Sequence, residues 1–330
     1  MADADNSGHY RPVDYLRVDA EHDGQRIDNF LAFRLRSLPR MRLYRLLRRG
    51  EIRVNRGRVR QDYRLRVRDQ IRLPPLYLLP ANESPPPSDS LRRELESRIL
   101  HEDERLLVVD KPAGLAVHGG SGLRHSLLAA LRHLRPDAPF LGLAHRLDRD
   151  ASGCLLLCKD YRWLRELQAK FRQGRVRKSY LALIRGCPSR PRLRVELPLA
   201  RAGNADRRRV VVSPQGRAAA TNLQLRRSYG RASLVSLRIP TGRTHQIRVH
   251  TASIGHPLGG DRKYGAPDFN RWLRQQGLVR LFLHADTLSW SGPPAAPPLR
   301  APLPEELRSV LRRLADCPDA PERVRHIGKG

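Results

Sequence analysis

Residues 145–153 read His145-Arg-Leu-Asp-Arg-Asp-Ala-Ser-Gly153, and the chain is best understood outward from this stretch. The carboxylate of Asp148 stands between the guanidinium groups of Arg146 and Arg149, just before the apolar run Cys154-Leu-Leu-Leu-Cys158. An arginine beside an aspartate favours the ionised carboxylate, which can then act as a nucleophile or a base. An ordinary surface ion pair in a turn is the alternative. The stretch alone does not decide between a reactive and a structural carboxylate.

The composition indicates a nucleic-acid partner. The chain has 330 residues, and 63 Lys and Arg against 33 Asp and Glu give a net charge of +30. Such an excess of positive charge suits a polyanion. No stretch approaches the ~20 apolar residues of a membrane-spanning helix, and residues 1–10 lack the apolar segment of a signal peptide. We therefore expect a cytoplasmic protein without membrane contact.

The four cysteines, Cys154, Cys158, Cys187 and Cys317, form no Cys-x-x-Cys pair and no metal-site spacing. They are interpreted as free thiols in a reducing compartment, with Cys154 and Cys158 as small buried hydrophobic residues. No metal and no cofactor is expected.

The first part of the chain is rich in arginine. Residues 26–72 contain 16 Arg against four acidic residues. Apolar residues at helical spacing predict two short helices, the second ending at Gly50, followed by a small sheet with a turn at Asn55-Arg-Gly57. Residues 1–23 are predicted to be a flexible tail, and the proline-rich segment that begins at Pro74 predicts a linker, placed at residues 81–92.

The second part, residues 93–316, predicts an α+β domain with a mixed, largely antiparallel sheet. Strand-like segments occur in pairs, with helices placed irregularly among them, unlike the regular alternation of a doubly wound fold. Residues 317–330 are expected to be a basic, disordered tail.

Five motifs in this second part occur in a characteristic order. They are Leu107-Val-Val-Asp-Lys-Pro-Ala-Gly-Leu-Ala-Val-His118, the stretch 145–153, Lys178-Ser-Tyr-Leu-Ala-Leu183, Thr241-Gly-Arg-Thr-His-Gln-Ile-Arg-Val-His250 and Gly255-His-Pro-Leu-Gly-Gly-Asp-Arg-Lys-Tyr-Gly265. Together they resemble the RluA family of RNA pseudouridine synthases, and five motifs in order over some 160 residues make a chance match very improbable.

A second resemblance covers the N-terminal part. The order Arg26-Ile-Asp28, Leu31, Arg40-Met41 and Leu47-x-Arg49-Gly-Glu-Ile-Arg-Val-Asn55-x-Gly57 resembles the S4 RNA-binding domain, placed at residues 24–80. That resemblance implies RNA contacts from Arg26, Arg40, Arg42, Arg45, Arg48, Arg49 and Arg53. At Pro39-Arg40-Met41, family members commonly carry a serine before or after the basic residue, so we expect a different cap on the second helix.

The resemblance to the RluA family implies a role for particular residues. The catalytic aspartate falls on Asp148, its charge partner on Arg248 in a helix predicted over residues 244–254, and the tyrosine that stacks on the target uracil on Tyr180. Arg146 matches the arginine that fills the space left by the flipped base, whose extraction costs unstacking energy. Further substrate contacts are expected from His145, Arg243, His245 and Gln246.

Other interpretations of these residues were weighed. His245 and His250 lie five apart, which suits neither face of a helix, so structural or RNA-contacting roles are preferred to a metal site. Asp150 could pair with Asp148 as in a glycosidase, but its polar surroundings favour a structural role in the turn. Ala151 stands where the family usually has threonine, and we expect activity to persist with a less rigid loop.

The sequence thus predicts an enzyme that isomerises uridines to pseudouridines. The chain is most similar to members that act on large-subunit ribosomal RNA, and its partner is expected to be that RNA or an assembly precursor, bound by a monomer. The same chemistry on transfer or messenger RNA is the first alternative. A non-catalytic RNA-binding or ribosome-assembly factor is the second. Whether Asp148 attacks the base or the sugar stays open.

Overall fold

The computed structural model describes residues 9–35, 37–78, 86–118, 126–138, 140–203, 209–294 and 296–316. The chain divides into two compact units, residues 1–85 and residues 86–330. Within the described ranges, no helix is both long and apolar enough to cross a membrane.

The first unit contains six short strands, two α-helices and a 3-10 turn at Ala20–His22 within its described residues. The strands are β1 (His9–Arg11), β2 (Asp14–Arg17), β3 (Arg53–Val54), β4 (Gly57–Arg58), β5 (Gln70–Leu73) and β6 (Leu76–Leu78), and the helices are α1 (Ile27–Arg34) and α2 (Arg40–Arg49). Strands β2, β5, β3 and β4 form an antiparallel sheet in that order, and β1 pairs with β6. Apolar residues of both helices, including Ile27, Phe30, Leu43 and Leu47, pack with Ile71 of β5 in one core.

Helix α2 has no side-chain cap at its start, where Pro39 is the N-cap residue. It ends at Gly50, whose φ of 68° is the left-handed conformation that glycine adopts without a Cβ penalty. The expected turn at residues 55–57 is present between β3 and β4, with Asn55 and Arg56 at positive φ.

Two expectations about this region are wrong. Residues 9–22 are not a flexible tail, because β1 and β2 each pair with a later strand and Val18 is buried. The linker predicted at residues 81–92 is not irregular throughout, because helix α3 begins at Asp89 after a cap in which the Ser88 side chain accepts from the Leu91 amide. Residues 81–85 of that linker and the tail at residues 317–330 lie outside the described residues.

The second unit is built on one large sheet. Its helices are α3 (Asp89–Ser97), α4 (Leu127–Leu134), α5 (Tyr161–Arg172), α6 (Gln246–Ser253), α7 (Pro267–Gln275) and α8 (Glu305–Ala315). Its strands are β7 (Ile99–Glu102), β8 (Leu106–Lys111), β9 (Gly142–Leu143), β10 (Ser152–Cys158), β11 (Arg177–Arg185), β12 (Arg192–Glu196), β13 (Leu199–Ala202), β14 (Arg209–Val212), β15 (Ala220–Ser228), β16 (Ala232–Arg238), β17 (Leu283–Ser289) and β18 (Leu299–Arg300).

Ten of these strands form the sheet in the described part of the unit. Eight follow the order β12-β15-β16-β11-β17-β10-β8-β7, with β9 and β18 attached to β10 and β17. The pairing of β10 with β17 is parallel, and the other described pairings are antiparallel. The expected mixed, largely antiparallel α+β sheet is therefore confirmed.

Strands β8 and β10 are buried on both faces. Leu155 and Leu157 pack into one apolar cluster, while Cys154, Leu156 and Cys158 pack into another on the opposite face. A strand covered on both faces has no polar side to show, which explains the continuous apolar run. Burial raises the pKa of the Cys154 thiol to about 12, so this cysteine is a neutral hydrophobic residue.

The parallel pair brings two backbones unusually close at Gly153. This residue has a φ of 111°, and a Cβ placed on it would lie 2.3 Å from the Ala285 carbonyl oxygen of β17. Only glycine fits this position, for reasons of both conformation and space.

Gly153→Ala should therefore destabilise the protein by more than about 3 kcal/mol, because strain at positive φ and a backbone clash add together. Gly114→Ala is the matched control, since Gly114 also has a positive φ, of 85°, but no atom lies within 4 Å of the added Cβ. It should cost only about 1–2 kcal/mol. Equal losses in urea unfolding would show that the close strand approach contributes nothing.

Candidate active site

A cavity of about 610 Å³ in the second unit gathers most of the predicted catalytic and substrate-binding residues. Three segments of the chain meet there: the loop before β10, the start of β11, and the turn at residues 241–245 that leads into α6. Asp148, Tyr180 and Arg248 all line it. Residues widely separated in sequence therefore converge on one opening.

The carboxylate at the cavity is held by Arg248. The Nη1 atom of Arg248 donates to Oδ2 of Asp148 over 3.2 Å, across one hundred residues of sequence. The Asp148 side chain is 22% exposed and that of Arg248 7%, so the acid faces the cavity and the base lies behind it. The carboxylate is positioned and charge-paired while one side stays open to a ligand.

Arg248 is itself oriented by a second carboxylate, that of Asp261. Its Nε and Nη2 atoms donate to the two Asp261 oxygens, each over 2.8 Å. Although burial disfavours the charged guanidinium, hydrogen bonds to Asp261 and the charges of both aspartates raise the pKa of Arg248 above its usual value. Such a two-point contact fixes the plane of the guanidinium group. The third donor is consequently aimed at Asp148.

Asp261 is buried in a dense set of hydrogen bonds. Burial opposes its ionisation, but donors from Arg248 and from the backbone amides of Lys263 and Tyr264 outweigh that cost and lower the pKa of Asp261. Asp261 belongs to the motif at residues 255–265, but no role for it could be predicted from the sequence. Its position between two glycines and a basic pair was the available signal.

The loop that carries Asp148 is held in place by hydrogen bonds from Lys111. The Lys111 side chain is fully buried, and its Nζ donates to the carbonyl oxygens of Pro112, Leu115 and Arg149 over 2.7, 3.0 and 2.9 Å. The Gly114 amide also donates to Arg149. Burial lowers the pKa of Lys111 to about 7. Lys111 thus ties the end of β8 to the residue that follows Asp148.

Ala151 closes the same loop. It is buried, and its amide donates to the Asp148 carbonyl over 3.2 Å. Asp150 is not among the residues that line the cavity; its side chain is about half exposed and lies 3.5 Å from that of Arg149, which is more exposed still. That surrounding is unsuited to raising the pKa of an acid, so the geometry gives no support to a pair of catalytic carboxylates.

Tyr180 lies deep in the cavity wall on β11. The strand is paired on both sides, and its register against β17 shifts between Ser179 and Tyr180. Such an irregularity re-aims a side chain. Burial, with the nearby charge of Asp148, raises the pKa of Tyr180, so the phenol is neutral. Its neighbour Lys178 also lines the cavity, and burial lowers its pKa to about 8.

The predicted substrate contacts divide into two groups. Arg146 and Arg243 are exposed on the cavity lining and free to reach a ligand. His145 is held inside, where its Nε2 accepts from the Leu156 amide over 3.2 Å. Burial lowers the pKa of His145 to about 3, which makes it a neutral orienting residue.

Gln246, which also lines the cavity, has all its amide hydrogen bonds within the protein. Gln246 accepts from the Thr241 hydroxyl and the Arg243 amide, and donates to Ala220 and Thr221, so its amide has no donor left for a ligand. These hydrogen bonds shape the 241–245 turn, and substrate binding by Gln246 stays a prediction.

The two histidines of this region also have protein partners. His245 Nδ1 lies 2.9 Å from the Tyr264 hydroxyl. The backbone of His245 is in the left-handed region, with a φ of 53°. His250 is buried between the Thr221 hydroxyl and the Leu197 carbonyl, each 2.9 Å from a ring nitrogen. His250 is therefore a structural residue.

The arginines predicted to bind RNA in the first unit differ in their freedom. Arg40, Arg45, Arg48, Arg49 and Arg53 are exposed. Arg26 instead makes a two-point ion pair with buried Asp28, over 3.0 and 2.8 Å, and Arg42 donates to the Tyr77 carbonyl over 3.2 Å. The geometry assigns Arg26 to the structure of the unit and leaves the exposed residues of α2 available.

Comparisons with known proteins agree on one family. A family profile described as RNA pseudouridylate synthase matches residues 105–253. Ribosomal large subunit pseudouridine synthase C of Pasteurella multocida is 45% identical, over 92% of this chain and 94% of that protein. The protein of the same name from Escherichia coli is 42% identical, over 92% and 98%.

Two solved human structures have a similar fold. RNA pseudouridylate synthase domain containing 4 has a TM-score of 0.57 and 29% identity, over 68% of this chain and 96% of that one. RNA pseudouridylate synthase domain containing 1 has a TM-score of 0.52 and 26% identity, over 67% of this chain and 95% of that one.

Asp261→Asn should destabilise the protein by about 3 kcal/mol, because it leaves the buried Arg248 guanidinium with half its charge compensation. Asp268→Asn is the control, since it removes an exposed pair with Arg185 and should cost less than about 1 kcal/mol. Urea unfolding at pH 7 measures both. Because the pKa of Asp261 is lowered in the folded protein, its contribution is present above pH 4 and should decline as the pH falls below that.

Proposed function

The chain belongs to the RNA pseudouridylate synthase family, and from that premise we propose that it isomerises specific uridines of large-subunit ribosomal RNA to pseudouridine. The observation that carries the proposal is the ion-paired carboxylate of Asp148 at the open side of the cavity, with Tyr180 beside it. The ribosomal substrate is taken from the names of relatives that match over nine-tenths of this chain.

The reaction makes specific demands on the site. The bond from the ribose to uracil N1 breaks, the uracil turns, a bond from the ribose to C5 forms, and the proton lost from C5 is matched by one taken up at N1. Atoms balance without a co-reactant, so the site must supply a nucleophile, a face for the base and an acceptor for the proton. A uridine must also leave its stack to reach the cavity, at a cost of a few kcal/mol.

We assign the nucleophile to Asp148. Ion pairing to Arg248 keeps its carboxylate charged and aimed, and the pairing costs nothing at the moment of reaction because Asp261 and the buried surroundings hold Arg248 in place beforehand. The attack can fall on the base or on the sugar, and the same geometry serves both.

We assign to Tyr180 the face on which the uracil stacks. A buried neutral phenol at the cavity wall suits stacking and a proton relay better than charge stabilisation. Arg146, exposed at the cavity, is suited to occupy the gap left in the RNA stack. Arg243 provides a further cation for the RNA backbone.

We further propose that residues 24–80 act as an S4-like RNA-binding domain that captures the substrate. Helix α2 presents Arg40, Arg45, Arg48 and Arg49 to solvent, and the high arginine content of this unit supports a polyanionic partner. The partner is the large-subunit RNA or an assembly precursor, bound by a cytoplasmic monomer.

Asp148→Asn should abolish the modification while leaving the protein folded. In a deletion strain, ribosomal RNA should lose carbodiimide-dependent reverse-transcription stops at particular uridines, and the wild-type gene should restore them. The Asn variant should not, because a loss of at least a thousandfold in rate, about 4 kcal/mol in the barrier, leaves no visible stop.

Asp150→Asn is the matched control for that experiment, because it neutralises an exposed carboxylate two residues away and should restore every stop. Restored stops with Asp148→Asn would contradict the catalytic assignment. Mapping stops across all cellular RNA separates the ribosomal substrate from transfer or messenger RNA.

Arg45→Ala/Arg48→Ala tests the capture role of the first unit. The slope of log affinity against log salt concentration should fall by about 1 for each arginine that contacts a phosphate, with kcat unchanged. Arg271→Ala/Arg274→Ala removes the same charge from exposed positions on α7 and should leave the slope unaltered. Equal slopes for both variants and the wild type would show that α2 does not contact RNA.

A further inference from the structure

A second cavity of about 530 Å³ lies beside the candidate active site in the same unit. We call it the flanking cavity, defined by residues 199–201, Val210, residues 215–217 and residues 242–244. Its walls are β13, β14, the turn after β14 and the turn before α6. The mechanism above makes no use of it.

The two cavities share a wall. Gly242 and Arg243 line both of them. Arg243 is held there by its Nε, which donates to the Ala218 carbonyl over 3.1 Å, so its two terminal nitrogens remain available. A polymeric ligand that enters the active-site cavity can therefore continue past this turn into the flanking cavity.

The flanking cavity is strongly basic. Arg201, Arg217 and Arg243 line it, all three side chains are exposed, and no carboxylate is among its lining residues. Neither Arg201 nor Arg217 forms an ion pair with any residue that the structure describes. Guanidinium groups without a protein counter-ion, collected in a concave surface, are suited to a phosphate group.

The backbone of the cavity is fixed before any ligand arrives. Leu199 and Arg217 exchange two backbone hydrogen bonds, of 2.9 and 2.8 Å. A Cβ on Gly216 would lie 2.5 Å from the Leu199 backbone, so the turn packs directly on β13. This contact fixes the backbone of Arg217 against β13, the strand that carries Arg201, so a ligand need order only the ends of the side chains.

We propose that the flanking cavity binds the phosphodiester and ribose of a nucleotide adjoining the target uridine, with Arg201 and Arg217 on the phosphate. This subsite rests on the proposed function, because its occupant must be covalently continuous with a uridine in the active-site cavity. Binding a neighbour there positions the flipped uridine against Asp148 and resists its return to the stack.

The experiment uses the full-length protein and a fragment of large-subunit RNA that contains a uridine mapped as modified. Arg201→Ala/Arg217→Ala should raise KM by roughly tenfold or more, since it removes charge-assisted contacts to a phosphate, and should change kcat little. Arg271→Ala/Arg274→Ala, with the same charge loss at exposed sites on α7, should leave both constants unchanged.

A modified substrate locates the phosphate. A neutral methylphosphonate is placed on the 5′ or the 3′ side of the target uridine, next to a 2′-O-methyl group that prevents strand cleavage. With the wild-type protein one of these should raise KM about as much as the double substitution does. With the Arg201→Ala/Arg217→Ala variant that same linkage should have no further effect, because the interaction is already lost.

Two results would overturn the subsite. One is a KM for the double variant equal to that of the α7 control, and the other is an undiminished methylphosphonate effect in the variant. Failure of the proposed function itself is distinct, since the wild-type protein would then isomerise no uridine in the unmodified fragment.

Discussion

The structure of the site depends on how one guanidinium group divides its donors. Arg248 donates two hydrogen bonds to Asp261 and one to Asp148. The fully buried carboxylate of Asp261 therefore holds the arginine in place, and the partly exposed carboxylate of Asp148 accepts its remaining hydrogen bond. The two aspartates have different roles, because Asp261 is buried and Asp148 is partly exposed. The buried carboxylate of Asp261 fixes the direction of the guanidinium group, and the partly exposed carboxylate of Asp148 faces the cavity. A charge partner that is locked beforehand requires no reorganisation as the reaction proceeds.

The second requirement is a fixed backbone in the loop that carries Asp148. Lys111 contributes to it by donating to three backbone carbonyls, one of them in the residue after Asp148. A buried lysine without an acidic partner costs desolvation energy, which is reflected in its lowered pKa. The three hydrogen bonds of Lys111 hold the backbone on one side of the loop, while the buried side chains of Leu147 and Ala151 pack into the core. The loop is therefore positioned by polar contacts within a sheet whose strands are otherwise apolar.

The α+β class and the largely antiparallel sheet could be predicted from the sequence, because strand-like segments such as β11 occur in pairs and carry their own pattern. The motifs also gave Asp148, Tyr180 and Arg248. Asp261 was missed because its importance lies in a contact thirteen residues back, which no local pattern reveals. The strands at residues 9–17 were missed for a similar reason, since β2 is only half buried and acquires its register from β5. The internal hydrogen bonds of Gln246 could not be predicted, because their partners lie on β15, distant in sequence.

The parallel pairing of β10 with β17 has a consequence for the order of events during synthesis. Ser152 pairs with His284, 132 residues later, and its hydroxyl lies 2.9 Å from the His284 ring. The strand that follows Asp148 cannot be completed until nearly the whole chain has left the ribosome, and contacts so distant in sequence form slowly. The arginine-rich unit, by contrast, is built from residues 9–78 and can fold much earlier. The first unit can thus be complete well before β10 gains its parallel partner, so the topology of a single strand pair separates in time the folding of the two units.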